Sequence, residues 1–256
     1  MQTRHRLHLR NIKRRALLAL RTLAACALLA GLTTFCQADL AEPEADPRAD
    51  AGASSGATTG GALSVSGLVQ QFESSYHNVR TLKAAFTQES SAWGRTRVES
   101  GEVYLQHGGK MRWEYQKPEE KLFVSDGRSV LLYVPAEKQL TRTPLKSSDD
   151  VRVPLELLVS HLSLRRAFSK VELAGTEVPA DAGDYVLRAY PKQGYEQEYH
   201  DVLVELTPAF DIRRLVITYP DETSMSFTFE RITRNALIPP SLFEFTPPAG
   251  TEVIQQ

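Results

Sequence analysis

The chain has 256 residues, 42% hydrophobic and 24% charged, with 15 Gly, 14 Pro and two Cys. That composition excludes a collagenous, coiled-coil or disulfide-stapled protein, and no apolar stretch has the length a polytopic membrane protein needs. The formal net charge of −1 hides an uneven distribution, because residues 1–38 carry seven basic side chains (Arg4, Arg6, Arg10, Lys13, Arg14, Arg15, Arg21) and no acid.

The apolar run Thr22–Phe35 follows that basic stretch, then Cys36-Gln37-Ala38 and the acidic residues Asp39, Glu42 and Glu44. A basic start, an apolar run of about 7–15 residues and a small residue at the cut mark a secretory signal peptide. A membrane-spanning helix needs about 20 apolar residues. Residues 1–38 are therefore expected to be cleaved near Ala38. Leu23-Ala24-Ala25-Cys26 spells a lipobox, so lipidation at Cys26 stays open as an alternative, although Arg21 interrupts the apolar stretch before it. Cleavage at Ala38 removes both cysteines, and with them any disulfide, cysteine nucleophile or thiolate metal site. It leaves 23 basic residues against 31 acidic ones, a net charge of −8. That balance disfavours binding to nucleic acid or anionic membranes through bulk charge.

Residues 39–63 are rich in Ala, Gly, Ser, Thr, Pro and acid. They offer too little apolar surface to offset their ordering entropy and are expected to form a linker. A single folded domain is expected over 64–256. It opens with a helix over 64–79: Val65, Leu68, Val69, Phe72 and Tyr76 form one apolar stripe, with Ser64 as N-cap. Alternating segments then dominate. Leu82, Ala84, Phe86 and Gln88 share one parity, and Val103 and Leu105 flank Tyr104. Met111, Trp113 and Tyr115 share a face opposite Arg112 and Glu114. In Leu122–Tyr133 the pair Asp126-Gly127 lies between two β-prone runs and predicts a tight hairpin with Asp126 and Gly127 as its central residues. A second helix is expected over Pro154–Ala167, with Leu155, Leu157, Leu158, Leu162 and Leu164. Strands follow at Tyr185–Ala189, Val202–Leu206, Arg213–Tyr219 and Met225–Ile232. The fold class is mainly β (α+β): a wide antiparallel sheet, covered by two helices only. Such a sheet curls, and so few helices predict a half-barrel with an apolar ligand cavity.

Motifs for chemistry are missing from the sequence. His77, His107, His161 and His200 lack metal-ligand spacing. There is no nucleophile elbow and no phosphate loop. Glu119-Glu120 and Asp149-Asp150 read as solvated charge in loops. No metal, cofactor or enzymatic activity is expected.

An ordered set of motifs carries a resemblance. It runs Phe86-Thr87-Gln88, Gly101, Arg112-Trp113-Glu114-Tyr115-Gln116-Lys117-Pro118, Val124-Ser125-Asp126-Gly127, Tyr133 and Phe243-Glu244-Phe245-Thr246-Pro247-Pro248-Ala249-Gly250. It resembles the LolA family of periplasmic lipoprotein carriers over nearly all of 64–256, with a poor match over about 165–200. The resemblance implies an unclosed antiparallel β-barrel with a helical lid and a cavity for lipoprotein acyl chains. It also implies a periplasmic location and acylated lipoproteins as cargo. The implied partners are an inner-membrane ABC transporter of the LolCDE type and an outer-membrane acceptor resembling LolB. A monomer without nucleic-acid partners is expected. Strand parity assigns the cavity to Phe86, Val103, Leu105, Met111, Trp113, Tyr115, Leu122, Val124, Leu131 and Tyr133, with Met111 at its mouth. The lid is assigned to Leu155, Leu158 and Leu162, together with His107. His107 occupies a position where some family members carry an arginine that bonds to the lid, so lid closure is expected to depend on pH. Two other readings stay open: a half-barrel sensor of lipids or lipoproteins, which would need a second domain, and a lipidated acceptor resembling LolB, tied to Cys26.

Overall fold

The computed structural model describes residues 64–144 and 164–255. The expected signal peptide and linker, His161 and the expected lid residues Leu155, Leu158 and Leu162 lie outside them. The first described element is the helix α1 (Val65–Tyr76), where the Ser64 hydroxyl accepts a hydrogen bond from the Gly67 N–H at 3.2 Å, capping the first turn. Leu68, Val69, Phe72 and Tyr76 are buried along one stripe, as the spacing predicts, each worth about 1.5–3 kcal/mol of transfer free energy.

Six strands follow: β1 (Thr81–Ala92), β2 (Arg95–Gln106), β3 (Lys110–Lys117), β4 (Lys121–Asp126), β5 (Ser129–Val134) and β6 (Gln139–Pro144). The helix α2 (Leu164–Ala167), the described part of the segment Pro154–Ala167 expected to be helical, precedes β7 (Lys170–Leu173), β8 (Tyr185–Tyr190), β9 (Asp201–Leu206), β10 (Ile212–Thr218), β11 (Ser224–Arg234) and β12 (Glu252–Gln255). All join one sheet of 12 strands in the order β12-β6-β5-β4-β3-β2-β1-β11-β10-β9-β8-β7. Neighbours are antiparallel except for the parallel pair β12 and β6. The edges β12 and β7 do not pair with each other, so the sheet is not closed into a barrel.

The sheet is concave on the face that α1 covers. Strands β3 and β11 are separated by β2 and β1, about 14 Å in a flat sheet. Yet the ring centroids of Trp113 on β3 and Phe227 on β11 lie 5.4 Å apart. Only a curled sheet brings them together. Gly101 permits a tight point in that wall: it faces Phe86 on β1 and Tyr115 on β3, whose rings meet edge-to-face at 5.0 Å. A Cβ on Gly101 would fall 1.8 Å from the Glu114 carbonyl oxygen, beside a register shift in the β2–β3 ladder.

The β4–β5 hairpin exists where expected, with a corrected turn. Gly127 has φ +88° and Arg128 follows it as the second central residue, while Asp126 ends β4. A glycine at the first central position suits a II′-type turn. The Asp126 carboxylate accepts from the N–H groups of Arg128 and Ser129, both at 2.7 Å. Burial alone would raise the pKa of that carboxyl, but those N–H donors outweigh it and hold the pKa below the ordinary carboxylate value.

Candidate functional site

The strand registers arrange the concave wall in rungs. The first holds Leu82, Leu105, Met111 and Ser125; the second holds Ala84, Val103, Trp113 and Phe123. The third holds Phe86, Gly101, Tyr115 and Lys121, and Gln88 with Glu99 and then Ser90 with Arg97 complete the β1–β2 pair. Across β1 the same face continues through Phe229, Phe227 and Met225 on β11 to Leu215 and Ile217 on β10. It ends with Val204 and Val202 on β9 and Leu187 and Ala189 on β8. One buried apolar cluster therefore draws on seven strands as well as α1 and α2.

Of the residues expected to line a cavity, Phe86, Val103, Leu105, Met111 and Trp113 are buried in this cluster, and Tyr115 packs against it. Met111 is on the end rung beside the β2–β3 turn. Leu122, Val124, Leu131 and Tyr133 do not join them. Leu122 opposes Glu114 and Val124 opposes Arg112, so all four face the convex side. There, with Leu140, they form a second cluster under Phe245, whose ring is 5.1 Å from that of Tyr133. The C-terminal segment is a strap over this side. It starts at a 3-10 turn, Pro240–Phe243, with Phe243 buried, and ends in β12 on β6. The Arg112 guanidinium donates to the Leu242 carbonyl at 3.1 Å and pairs with Glu114 at 2.6 Å. The motif Phe243-x-Phe245-x-Pro247-Pro248 thus closes the back of the sheet. The concave residues that replace the four are Lys121, Phe123 and Ser125 on β4. The sequence carries little signal for this, because both faces of 121–125 include apolar side chains.

The concave wall is not uniformly apolar. Glu99 and Lys121 are 2% and 7% exposed and form an ion pair at 2.5 Å. Arg97 reaches the same Glu99 oxygen at 3.0 Å and also pairs with Glu119 at 3.3 Å. The Lys121 ammonium stands 4.6 Å from the Tyr115 ring centroid, and the Tyr115 hydroxyl donates to Gln88 Oε1 at 2.8 Å. Burial, reinforced by the negative charge of Glu99, pushes the Tyr115 phenol well above its ordinary value, so it remains a neutral donor. Gln88 Nε2 donates onward to Ser90 Oγ at 3.3 Å. These groups make a polar corner at the β1–β2 hairpin end of the wall. Sequence reading missed Glu99 and Lys121 because each lies in a charged stretch that reads as solvent-facing.

The Trp113 indole marks the border between floor and corner. Its ring meets Phe86 at 4.8 Å and Phe227 at 5.4 Å, while Phe86 also touches Tyr115. Trp113 is 2% exposed, and its Nε1 has no hydrogen-bond partner among the described residues.

The cover over this wall is held at both ends of α1. Arg234 stacks on the Tyr76 ring at 4.6 Å, pairs with Asp211 at 2.7 Å and donates to the Phe210 carbonyl at 2.9 Å. The Tyr76 hydroxyl accepts from the Ile212 N–H at 3.4 Å. At the other end of α1 a cleft of about 350 Å³ opens between α1, α2 and β7, lined by Val65, Val69, Phe168 and Val171 among others. Arg165 donates to the Ser66 hydroxyl across it at 2.5 Å. His107 is exposed in the β2–β3 turn, and its backbone N–H donates to the Arg80 carbonyl at 2.9 Å. His77 caps α1 and His200 precedes β9; among the described residues no group of three His, Cys, Asp or Glu could hold a metal ion.

The family model described as "Outer membrane lipoprotein carrier protein LolA" matches residues 77–246. An outer-membrane lipoprotein carrier protein of Dechloromonas aromatica is 29% identical over 195 residues, spanning 75% of this chain and 89% of the relative. One from Methylococcus capsulatus is 32% identical over 187 residues, 72% and 86% of the two chains. A crystal structure of a LolA superfamily protein from Nitrosomonas europaea matches 72% of this chain and 99% of that one, at a TM-score of 0.40 and 11% identity. With the family model covering most of the folded region and relatives aligned over nearly their whole length, this chain belongs to the LolA family.

Proposed function

We propose that the mature protein is a periplasmic carrier of acylated lipoproteins. It holds their acyl chains against the concave wall while they pass from the inner to the outer membrane. The observation that carries this reading is the single apolar face shared by seven strands, over which the described residues place α1 and the short α2. Each buried methylene is worth about 0.8 kcal/mol, so several acyl chains hold a lipoprotein on a membrane unless a soluble protein offers a matching dry surface. The carrier must also release its cargo. A cover that fills the empty face and is displaced by lipid lowers the net affinity through a two-state equilibrium. The segment fastened at Tyr76 and joined to α2 through Arg165 supplies part of that cover, with Leu155, Leu158 and Leu162 as its remaining pieces and His107 at its rim. The donor in this reading is a transporter of the LolCDE type and the acceptor resembles LolB. No covalent step is assigned to the carrier.

The test is release. Purified protein starting at Asp39, added to spheroplasts that hold the cognate lipoproteins and transporter, should bring a triacylated lipoprotein into the supernatant as a soluble complex. No release under those conditions overturns the reading. Mass spectrometry of the exported protein should find Asp39 at its N-terminus; diacylglyceryl-Cys26 would instead indicate a lipidated acceptor.

A further inference from the structure

The concave wall is amphipathic along the strands. The first two rungs are apolar apart from Ser125, and the end from the third rung onward carries Lys121, Gln88, Glu99 and Ser90. At the border is a buried N–H, at Trp113, without an acceptor among the described residues. A buried donor left unsatisfied bears its desolvation penalty uncompensated, and each one in a native structure calls for an explanation. Phe86, Phe227 and Phe229 ring the indole and offer no acceptor in their side chains. A ligand that supplies a carbonyl at this depth, with hydrocarbon on one side and polar groups on the other, would satisfy it.

From this we infer that Trp113 Nε1 is the donor for a chain-root carbonyl of the bound lipid, the ester oxygen where an acyl chain joins its glycerol. The methyl ends then lie over Leu82, Leu105 and Met111, and the glyceryl head sits in the polar corner. There the Lys121 ammonium keeps donors beyond the one that Glu99 takes. The lipid therefore binds in one direction, with its polar root toward the β1–β2 hairpin. Pure hydrocarbon packing would fix no direction, because every methylene is equivalent to the floor. This inference rests on the carrier reading and specifies the orientation and chemical class of its ligand.

The experiment uses two synthetic S-glyceryl-cysteinyl lipopeptides of equal chain length, one with ester-linked and one with ether-linked chains. Each competes with an apolar fluorescent probe on the mature protein. The ester lipopeptide is expected to bind roughly five- to tenfold more tightly, and Trp113→Phe, which keeps the ring and removes the donor, should reduce that ratio to about one. A second measurement needs no change at Trp113. In a Trp93→Phe background Trp113 is the sole tryptophan of the chain. Ester lipopeptides dibrominated near the chain root should quench its fluorescence more than those brominated near the methyl end. Equal binding of ester and ether forms by the unmodified protein, or stronger quenching from the methyl end, overturns the orientation and leaves the carrier reading in place. Failure of both lipopeptides to displace the probe overturns the carrier reading itself.

Discussion

Lys121 and Glu99 form an ion pair at 2.5 Å on a wall that is mostly apolar, and both side chains are almost fully buried. The pair is asymmetric. Glu99 has a second cation in Arg97 at 3.0 Å, whereas Glu99 is the carboxylate that Lys121 contacts. A buried pair is weak evidence for net stability, but removing one partner strands the other charge.

That asymmetry sets the first prediction. Glu99→Leu leaves the Lys121 ammonium buried and should cost about 3–5 kcal/mol. Lys121→Met leaves Glu99 paired with Arg97 and should cost less, and the double substitution should recover much of the loss. Urea unfolding midpoints at constant m-value measure all three; equal costs for the two single changes would refute the asymmetry.

Gly101 gives the second. Its added Cβ would meet the Glu114 carbonyl oxygen at 1.8 Å, a backbone atom that cannot rotate away. Gly101→Ala should therefore destabilise by at least about 1–3 kcal/mol, the usual range for overpacking. For a domain of this size that lowers Tm by several degrees, roughly 2–4 °C per kcal/mol. An unchanged Tm would show that the β2–β3 register can slide.

Alkaline pH gives the third. Burial raises the Tyr76 phenol to about 12, against the smaller opposing effect of Arg234. The unfolded chain loses that proton near pH 10, so above this the folded state holds more protons than the unfolded one. Stability from this group is complete below about pH 10 and falls by roughly 2–3 kcal/mol as pH rises to about 12. Tyr115 shifts in the same direction and adds to the loss. Tyr76→Phe should make the pH 10–12 decline shallower in denaturant titrations. An unaltered slope would assign the decline to other groups.

The two faces give the fourth. Phe245→Ala removes the partner of Tyr133 on the convex side and should lower stability by about 3–5 kcal/mol, or less because Phe245 is only partly buried. The folded fraction should still bind an apolar probe as before. Phe227→Ala acts on the concave wall and should change probe affinity as well. Probe titrations of both variants, corrected for folded fraction, separate the faces; loss of binding in Phe245→Ala would undo the assignment.

Local sequence determined several elements alone. The stripe Val65, Leu68, Val69, Phe72 and Tyr76 with its Ser64 cap specifies α1, since a 3.6-residue period admits one buried face. The alternation Leu82, Ala84, Phe86, Gln88 specifies β1 and its buried side for the same reason at period two. The ordered motifs specify the family. What the residues could not decide was which side of β4 and β5 faces the concave wall. Lys121-Leu122-Phe123-Val124-Ser125 has apolar residues at both parities, so alternation is silent. The register set across the β3–β4 turn places Leu122 opposite Glu114, and with it Leu122, Val124, Leu131 and Tyr133 fall under the C-terminal strap. A one-residue difference in pairing moves every side chain of a strand to the other face. That pairing, and the burial of Glu99 against Lys121 across strands far apart in sequence, exists only once the sheet has formed and curled.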